Sequence, residues 1–289
     1  MKFADLHIHS CYSDGYLSPE EIVKYSIDKG IKYISITDHD SIAAQYITTR
    51  DIEEITIIPG VEFSSNYNGA EIHILAYFID IENEELKRFI DLLREKRKKR
   101  VEEILNKLDK IHIKIDIEDL IVKENISLGR GNIAKEMVRK GYVKNIKEAF
   151  DKYLMKDRCA YVSGYKEDYK KVLNIIKDCG GISVIAHLGK CYPKIYLEKV
   201  ILDLKRYGLN GVEVYHPSHT VEETNSLYNI SKKHRLLITG GSDFHGNKYG
   251  ECFLGTHGIS EKLFSKIINY KQKAIMEEIK WYIQKKLKI

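Results

Sequence analysis

The 289-residue sequence predicts an α/β fold, a seven-stranded (β/α)7 barrel related to the TIM type that carries a mainly helical insertion. Three observations predict it. Strand-like and helix-like segments alternate over 1–81 and again from 166 to 289, the pattern of a parallel sheet covered by helices. The segment 82–165 breaks that alternation and reads as helical. Each of the seven strand-like segments also carries or runs into side chains with metal-binding chemistry, and barrels of this type place functional groups at the carboxyl ends of their strands. An open doubly wound sheet is the alternative.

The first strand is expected over 3–9. Ser18-Pro19-Glu20-Glu21 then signals a helix start: Ser18 as N-cap, Pro19 at the first helical position and Glu21 closing a capping box. Gly30 ends that helix, and the Ile-rich segment 32–37 forms the second strand. Segments 55–63 and 71–79 are the third and fourth. A single long helix is expected over 83–111, with the charged run Arg94-Glu95-Lys96-Arg97-Lys98-Lys99-Arg100, followed by several short helices over 118–154. Strands return at 182–186, 211–215 and 236–239, and the chain closes in a helix over 261–287.

Composition narrows the class. The chain is 43% hydrophobic and 31% charged with a net charge of +5, ordinary for a water-exposed globular protein, and too mild a charge to argue for a nucleic-acid partner by itself. The five cysteines, Cys11, Cys159, Cys179, Cys191 and Cys252, are scattered without a C-x-x-C pair, which fits reduced thiols. No apolar run reaches membrane-spanning length and the start Met1-Lys2-Phe3-Ala4-Asp5 lacks an apolar core. The expectation is a cytoplasmic protein with no membrane association and no obligate protein partner.

The chemistry collects at strand ends. They offer His7 and His9, then Asp38-His39-Asp40, Glu62, His73, His187, His216, and finally Asp243 and His245. Of 11 histidines only His112, His219, His234 and His257 fall elsewhere, and His219 lies just past a strand. Residues i and i+2 on a strand share a face, so His7 with His9, and Asp243 with His245, can serve one centre. Mixed imidazole and carboxylate ligation suits Mn, Fe or Zn. About nine good ligands are enough for two or three ions, an arrangement suited to phosphoryl transfer.

These residues also fall into an ordered set of motifs. Asp5-Leu6-His7-Ile8-His9-Ser10 with Ser13-Asp14-Gly15, then Ile36-Thr37-Asp38-His39-Asp40, Pro59-Gly60-Val61-Glu62-Phe63-Ser64, Glu71-Ile72-His73-Ile74-Leu75, Ala186-His187, Gly211-Val212-Glu213-Val214-Tyr215-His216-Pro217 and Gly241-Ser242-Asp243-Phe244-His245-Gly246 resemble the motifs of the PHP (polymerase and histidinol phosphatase) family, end to end and in order. The resemblance implies a distorted seven-stranded barrel, 1–81 with 166–289, a helical insertion or cap over 82–165, and three divalent metals. It implies His7, His9 and Asp243 on one metal, His73 and His187 on a second with Glu62 bridging, and Asp14, His39 and His245 on a third. Within the family the chain looks most like the stand-alone phosphoesterases that act on nucleotides, including nucleoside 3′,5′-bisphosphates, or on RNA 5′ ends. The implied reaction is phosphate-monoester hydrolysis by a metal-bridging hydroxide, on a small phosphorylated substrate or a short RNA.

Arg130, in Leu128-Gly129-Arg130-Gly131-Asn132, resembles the branch's phosphate-binding arginine, and its planar fork suits phosphate. Asn132 stands where the family often has His. His216 resembles the His beside the scissile phosphate, able to protonate the leaving oxygen or orient the phosphate. His219 is a further substrate-side candidate, with a loop role as its alternative. The basic run 94–100 reads as a solvated helix face, with RNA contact as the other reading. Histidinol phosphatase activity, a 5′-to-3′ exoribonuclease and a non-catalytic metal-binding module are the competing functions.

Overall fold

The computed structural model describes residues 3–48, 52–246 and 253–286. Met1, Lys2, Cys252 and Leu287, which entered the sequence reading, lie outside them. The strands are β1 (Ala4–Ile8), β2 (Tyr33–Ile36), β3 (Thr56–Ile57), β4 (Gly60–Tyr67), β5 (Ala70–Tyr77), β6 (Glu167–Asp168), β7 (Ile182–Ile185), β8 (Gly211–Tyr215) and β9 (Leu237–Gly240). The helices are α1 (Pro19–Asp28), α2 (Gln45–Thr48), α3 (Glu84–Asp109), α4 (Ile117–Leu120), α5 (Arg130–Arg139), α6 (Ile146–Ala149) running into a π-turn over Phe150–Leu154, α7 (Tyr169–Asp178), α8 (Leu188–Cys191), α9 (Lys194–Lys205), α10 (Val221–Lys233) and α11 (Glu261–Lys286).

The strands form a three-stranded sheet, β1-β2-β3, and a six-stranded sheet, β6-β4-β5-β7-β8-β9. The two do not close into a continuous ring. Single bridges cross the seams, Ile8 to Phe244 and His39 to Glu62. The expectation of an all-parallel sheet is overturned: β5 runs antiparallel to both β4 and β7. The cause is the two-residue loop Asn68-Gly69, where both residues take positive φ (51° and 86°). That is the geometry of a type I′ turn, whose twist matches a tight hairpin. The expected third strand is also divided, because Pro59 separates the short β3 from β4.

The α1 start is as expected. Ser18 Oγ accepts from the Glu21 amide at 3.3 Å, and Glu21 Oε2 accepts from the Ser18 amide at 2.7 Å. Helix α3 spans two cores. Leu86, Phe89, Ile90 and Leu93 pack with the large sheet, α7 and α9, while Val101, Ile104, Leu105 and Leu108 pack with Ile133, Met137 and Leu154. The second group, Val101 to Ala160, is a separate apolar cluster inside the expected insertion. The arrangement sets that cluster beside the strand ends where the histidines collect. Cys11, Cys159, Cys179 and Cys191 are free thiols. Among the described residues, no helix is long and apolar enough to cross a membrane.

Candidate metal centre

Strand periodicity sorts β1 into two faces. Ala4, Leu6 and Ile8 enter apolar clusters. Asp5, His7 and His9 point the other way, yet all three are fully buried. The side chains they meet come from the carboxyl ends of the other strands. His7 Nε2 and His9 Nε2 lie 3.1 Å apart, and Asp243 Oδ1 lies 3.4 and 3.1 Å from them. Two imidazole nitrogens on one ion of Zn–N length about 2.1 Å would be about 3.0–3.4 Å apart.

Glu62 sits at the middle with its two oxygens facing different partners. Oε1 lies 2.9 Å from His73 Nδ1 and 3.0 Å from His187 Nε2. Oε2 lies 2.8 Å from His39 Nδ1 and 3.4 Å from both His7 Nε2 and His9 Nε2. Asp14 Oδ1 is 3.2 Å from His245 Nε2, and Asp14, His9, His39 and His245 form one tight group. The structure therefore brings together all nine ligand candidates: His7, His9, Asp14, His39, Glu62, His73, His187, Asp243 and His245.

The donor set fits a cation. Asp14 Oδ1, His39 Nδ1, Glu62 Oε2 and His216 Nε2 are buried without a hydrogen-bond partner. His39 Nδ1 and Glu62 Oε2 approach to 2.8 Å but lack hydrogen-bond geometry, as lone pairs do when both are directed at a third body. Burial would raise the Glu62 carboxyl, but His39, His73 and His7 hold it well below the ordinary carboxylate range. Burial and the charges of His245 and His39 push His9 down to about 3. Asp243 and His187 hold the left-handed region (φ 51° and 29°), backbone strain of the kind that concentrates at functional sites.

A second layer of carboxylates orients the first, and sequence reasoning assigned it no role. Glu213 Oε1 accepts from His7 Nδ1 at 2.9 Å and Oε2 accepts from the His187 amide at 2.8 Å. It thereby fixes the His7 tautomer that leaves Nε2 free to bind. The signal was a lone carboxylate in the apolar strand Gly211-Val212-Glu213-Val214. Asp38, read as part of a strand-end metal motif, instead accepts from the Ser10 amide (2.8 Å), Ser10 Oγ (2.5 Å) and Ser13 Oγ (2.5 Å), shaping the loop that carries Asp14. Asp40 receives Arg97 Nε at 2.5 Å, and Arg97 also donates to Ser64 Oγ at 2.7 Å. Part of the basic run is thus turned inward and is not a solvated face.

Gly241 is required where β9 passes β1, since a Cβ there would lie 2.3 Å from His7 Cβ and 2.5 Å from His7 N. Gly241→Ala is expected to destabilise the protein by about 3 kcal/mol, the upper range for overpacking, and to lower Tm by about 6–12 °C. A thermal melt shifted by less than about 2 °C would contradict this packing.

Arg130 makes its contacts within the segment 82–165. Nη1 donates to Leu154 O at 3.3 Å, and the guanidinium faces the Phe150 and Tyr161 rings at 5.8 and 6.0 Å. Asn132 is structural: Oδ1 accepts from the Gly129 amide at 2.8 Å and Nδ2 donates to Ser13 O at 2.7 Å, docking α5 on the Asp14 loop. His216 Nδ1 accepts from the Ser218 amide at 3.1 Å, so its proton sits on Nε2, 3.3 Å from Asp243 Oδ2. His219 has both nitrogens engaged by main chain, Nδ1 with Val214 O (3.0 Å) and Nε2 with the Gly189 amide (3.2 Å).

Comparison with known proteins agrees with this geometry. The model of the PHP domain matches residues 5–187. A 5′-3′ exoribonuclease of Haemophilus influenzae is 32% identical over 245 residues, 83% of this chain and 89% of that protein. A 3′,5′-nucleoside bisphosphate phosphatase of Chromobacterium violaceum is 28% identical over 246 residues, 83% and 86% of the two chains. A crystal structure of a candidate metal-dependent phosphoesterase from Bifidobacterium adolescentis superposes with a TM-score of 0.85 at 25% identity, covering 92% of this chain and 96% of that one. The chain belongs to the PHP domain family and is one of its metal-dependent phosphoesterases.

Proposed function

We propose that the chain hydrolyses phosphate monoesters of nucleotides, nucleoside 3′,5′-bisphosphates and monophosphates among them, with about three divalent ions of Mn, Fe or Zn. The observation that carries the reading is Glu62, whose two oxygens face two separate sets of imidazoles. His7, His9 and Asp243 would hold one ion, His73 and His187 a second with Glu62 between them, and Asp14, His39 and His245 a third. When bound, such ions supply an activated nucleophile and neutralise phosphate oxygens. We take the two sheets as one distorted barrel mouth, a reading supported by the bridges at both seams, with 82–165 as its cap.

The remaining chemistry falls to side chains. His216 presents Nε2–H with no hydrogen-bond partner, which suits donation to a phosphate oxygen or to the leaving oxygen. Arg130 is assigned to substrate phosphate through its planar fork. His219 is left as a support of the α8 start, which agrees with its engaged nitrogens. A second reading, 5′-to-3′ exoribonuclease action by the same site, is favoured by the similarity to the Haemophilus influenzae enzyme.

Metal uptake is expected to release protons. Burial works against charge, but Glu62 outweighs it and raises His73 to about 10, and Asp14 likewise raises His245 to about 9. Both are imidazolium at neutral pH before an ion arrives, and ligation needs the neutral ring, so affinity rises with pH. Against burial, Glu213 and Glu62 raise His7 well above the ordinary value too, so calorimetric titration in two buffers of different ionisation enthalpy should show about two to three protons released per chain; identical heats would contradict the arrangement.

Substrate identity is tested by phosphate release, with Mn present, from adenosine 3′,5′-bisphosphate, AMP, histidinol phosphate and a short 5′-phosphorylated RNA. Release from the nucleotides supports the reading, and preference for the RNA supports the exoribonuclease. Preference for histidinol phosphate, or full metal occupancy with no release, overturns both.

A further inference from the structure

Asp14 stands in the loop between β1 and α1, and that loop is gripped from two sides. From the strands, the Asp38 carboxylate accepts from Ser10 and Ser13. From the segment 82–165, α5 and the residues just before it meet each position from Tyr12 to Tyr16 in turn. The Ser127 amide donates to Tyr12 O at 2.8 Å, and Lys123 Nζ lies 5.2 Å from the centre of the Tyr12 ring. Asn132 Nδ2 donates to Ser13 O at 2.7 Å. Gly131 backs directly on Asp14: a Cβ there would lie 2.7 Å from Asp14 Oδ2 and 2.8 Å from Asp14 Cβ. Lys135 Nζ donates to Gly15 O at 2.7 Å and stands 3.9 Å over the Tyr16 ring. The Tyr16 amide in turn donates to His245 O at 2.7 Å. The grip therefore reaches a second member of the group formed by Asp14, His9, His39 and His245.

We propose that Gly131, Asn132 and Lys135 are positioning residues that clasp Asp14, so that docking of α5 and occupancy of the ion at Asp14, His39 and His245 are one coupled equilibrium. This rests on the three-ion reading and deepens it. The segment has an apolar core of its own, running from Val101 to Ala160. Its seat on the strand ends is therefore a matter of contacts such as these. Moving α5 away takes the partners from Tyr12 O, Ser13 O and Gly15 O and the backing from Asp14. An ion that draws on Asp14 orders the same loop and, through it, α5. Such coupling is reciprocal: whatever seats α5 tightens the ion, and the ion seats α5 by the same factor. The ligand sets built from His7, His9 and Asp243, and from His73, His187 and Glu62, do not include Asp14 and are outside the coupling.

The test adds Mn to the metal-free full chain and reads binding by calorimetry and amide hydrogen exchange by mass spectrometry, with no substrate present. Mn should slow exchange in α5 about fivefold or more, and Asp14→Asn should abolish that slowing while the other ions still bind. Gly131→Ala, which presses on Asp14 from α5, should weaken one ion about 10–100-fold and spare the others. Asn132→Ala removes the bond to Ser13 without adding bulk and should weaken the same ion, so the test stands even where Gly131→Ala does not fold. In the Asp14→Asn background neither substitution should change Mn affinity further. Equal weakening of every ion, unchanged affinity in both variants, or α5 exchange that ignores Mn overturns the clasp. If the unsubstituted protein binds no ion that Asp14→Asn removes, the three-ion reading fails and the clasp with it. If that ion binds and α5 does not respond, the clasp alone fails.

Discussion

Replacing Glu62 with alanine should reduce phosphate release by about a thousandfold or more, the size expected when several kcal/mol of charge stabilisation is lost. The metal content of the purified protein should fall with it. The reason is positional. Glu62 is fully buried, and its oxygens lie within 3.4 Å of five imidazoles: His7, His9, His39, His73 and His187. Removing it leaves imidazoles facing one another with no anion between them and separates the groups on either side. The remaining ligands still form the His7–His9–Asp243 group, so one ion should be kept more tightly than the others. Elemental analysis alongside the rate assay checks this. A Glu62→Ala protein with full metal content and near-normal turnover would remove Glu62 from the centre.

Glu213→Gln should weaken metal binding about 10–100-fold, the usual effect of losing an outer-layer carboxylate. Glu213 hydrogen-bonds to His7 Nδ1 and the His187 amide and lies close to His216. Burial would raise it, but His7 and His216 bring it down to about 2, so it is an anion that makes His7 a better donor. The glutamine keeps the shape and removes the charge. Activity should therefore be recovered at high Mn, which a collapsed site would not allow. Equal metal affinity in the variant would assign Glu213 to packing alone.

The two kinds of residue differ in how visible they were. Eight of the nine ligand candidates were legible because chemistry and position coincide: a histidine or carboxylate at the end of an apolar strand has few structural uses; Asp14, in the loop between β1 and α1, was reached only through the motif resemblance. Glu213 stood in an equally plain strand, but its role depends on which partner strand brings His7 to it, 206 residues away. Arg97 was hidden in a run of charges whose helical face depends on how α3 docks. Chain direction failed for a local reason. Asn68-Gly69 is a hairpin signal, and reading it would have turned β5 antiparallel and placed His73 opposite Ser64 in register. The split of β3 from β4 at Pro59 was likewise written in the sequence, whereas the single bridges at the two seams are products of tertiary packing.

The most direct test of the central claim is phosphate release from adenosine 3′,5′-bisphosphate measured with metal content on the same sample, before chelation, after it, and after Mn is returned. The account predicts about three ions per chain, activity lost as they are stripped and regained as Mn restores them. Undiminished release from metal-free protein would contradict it.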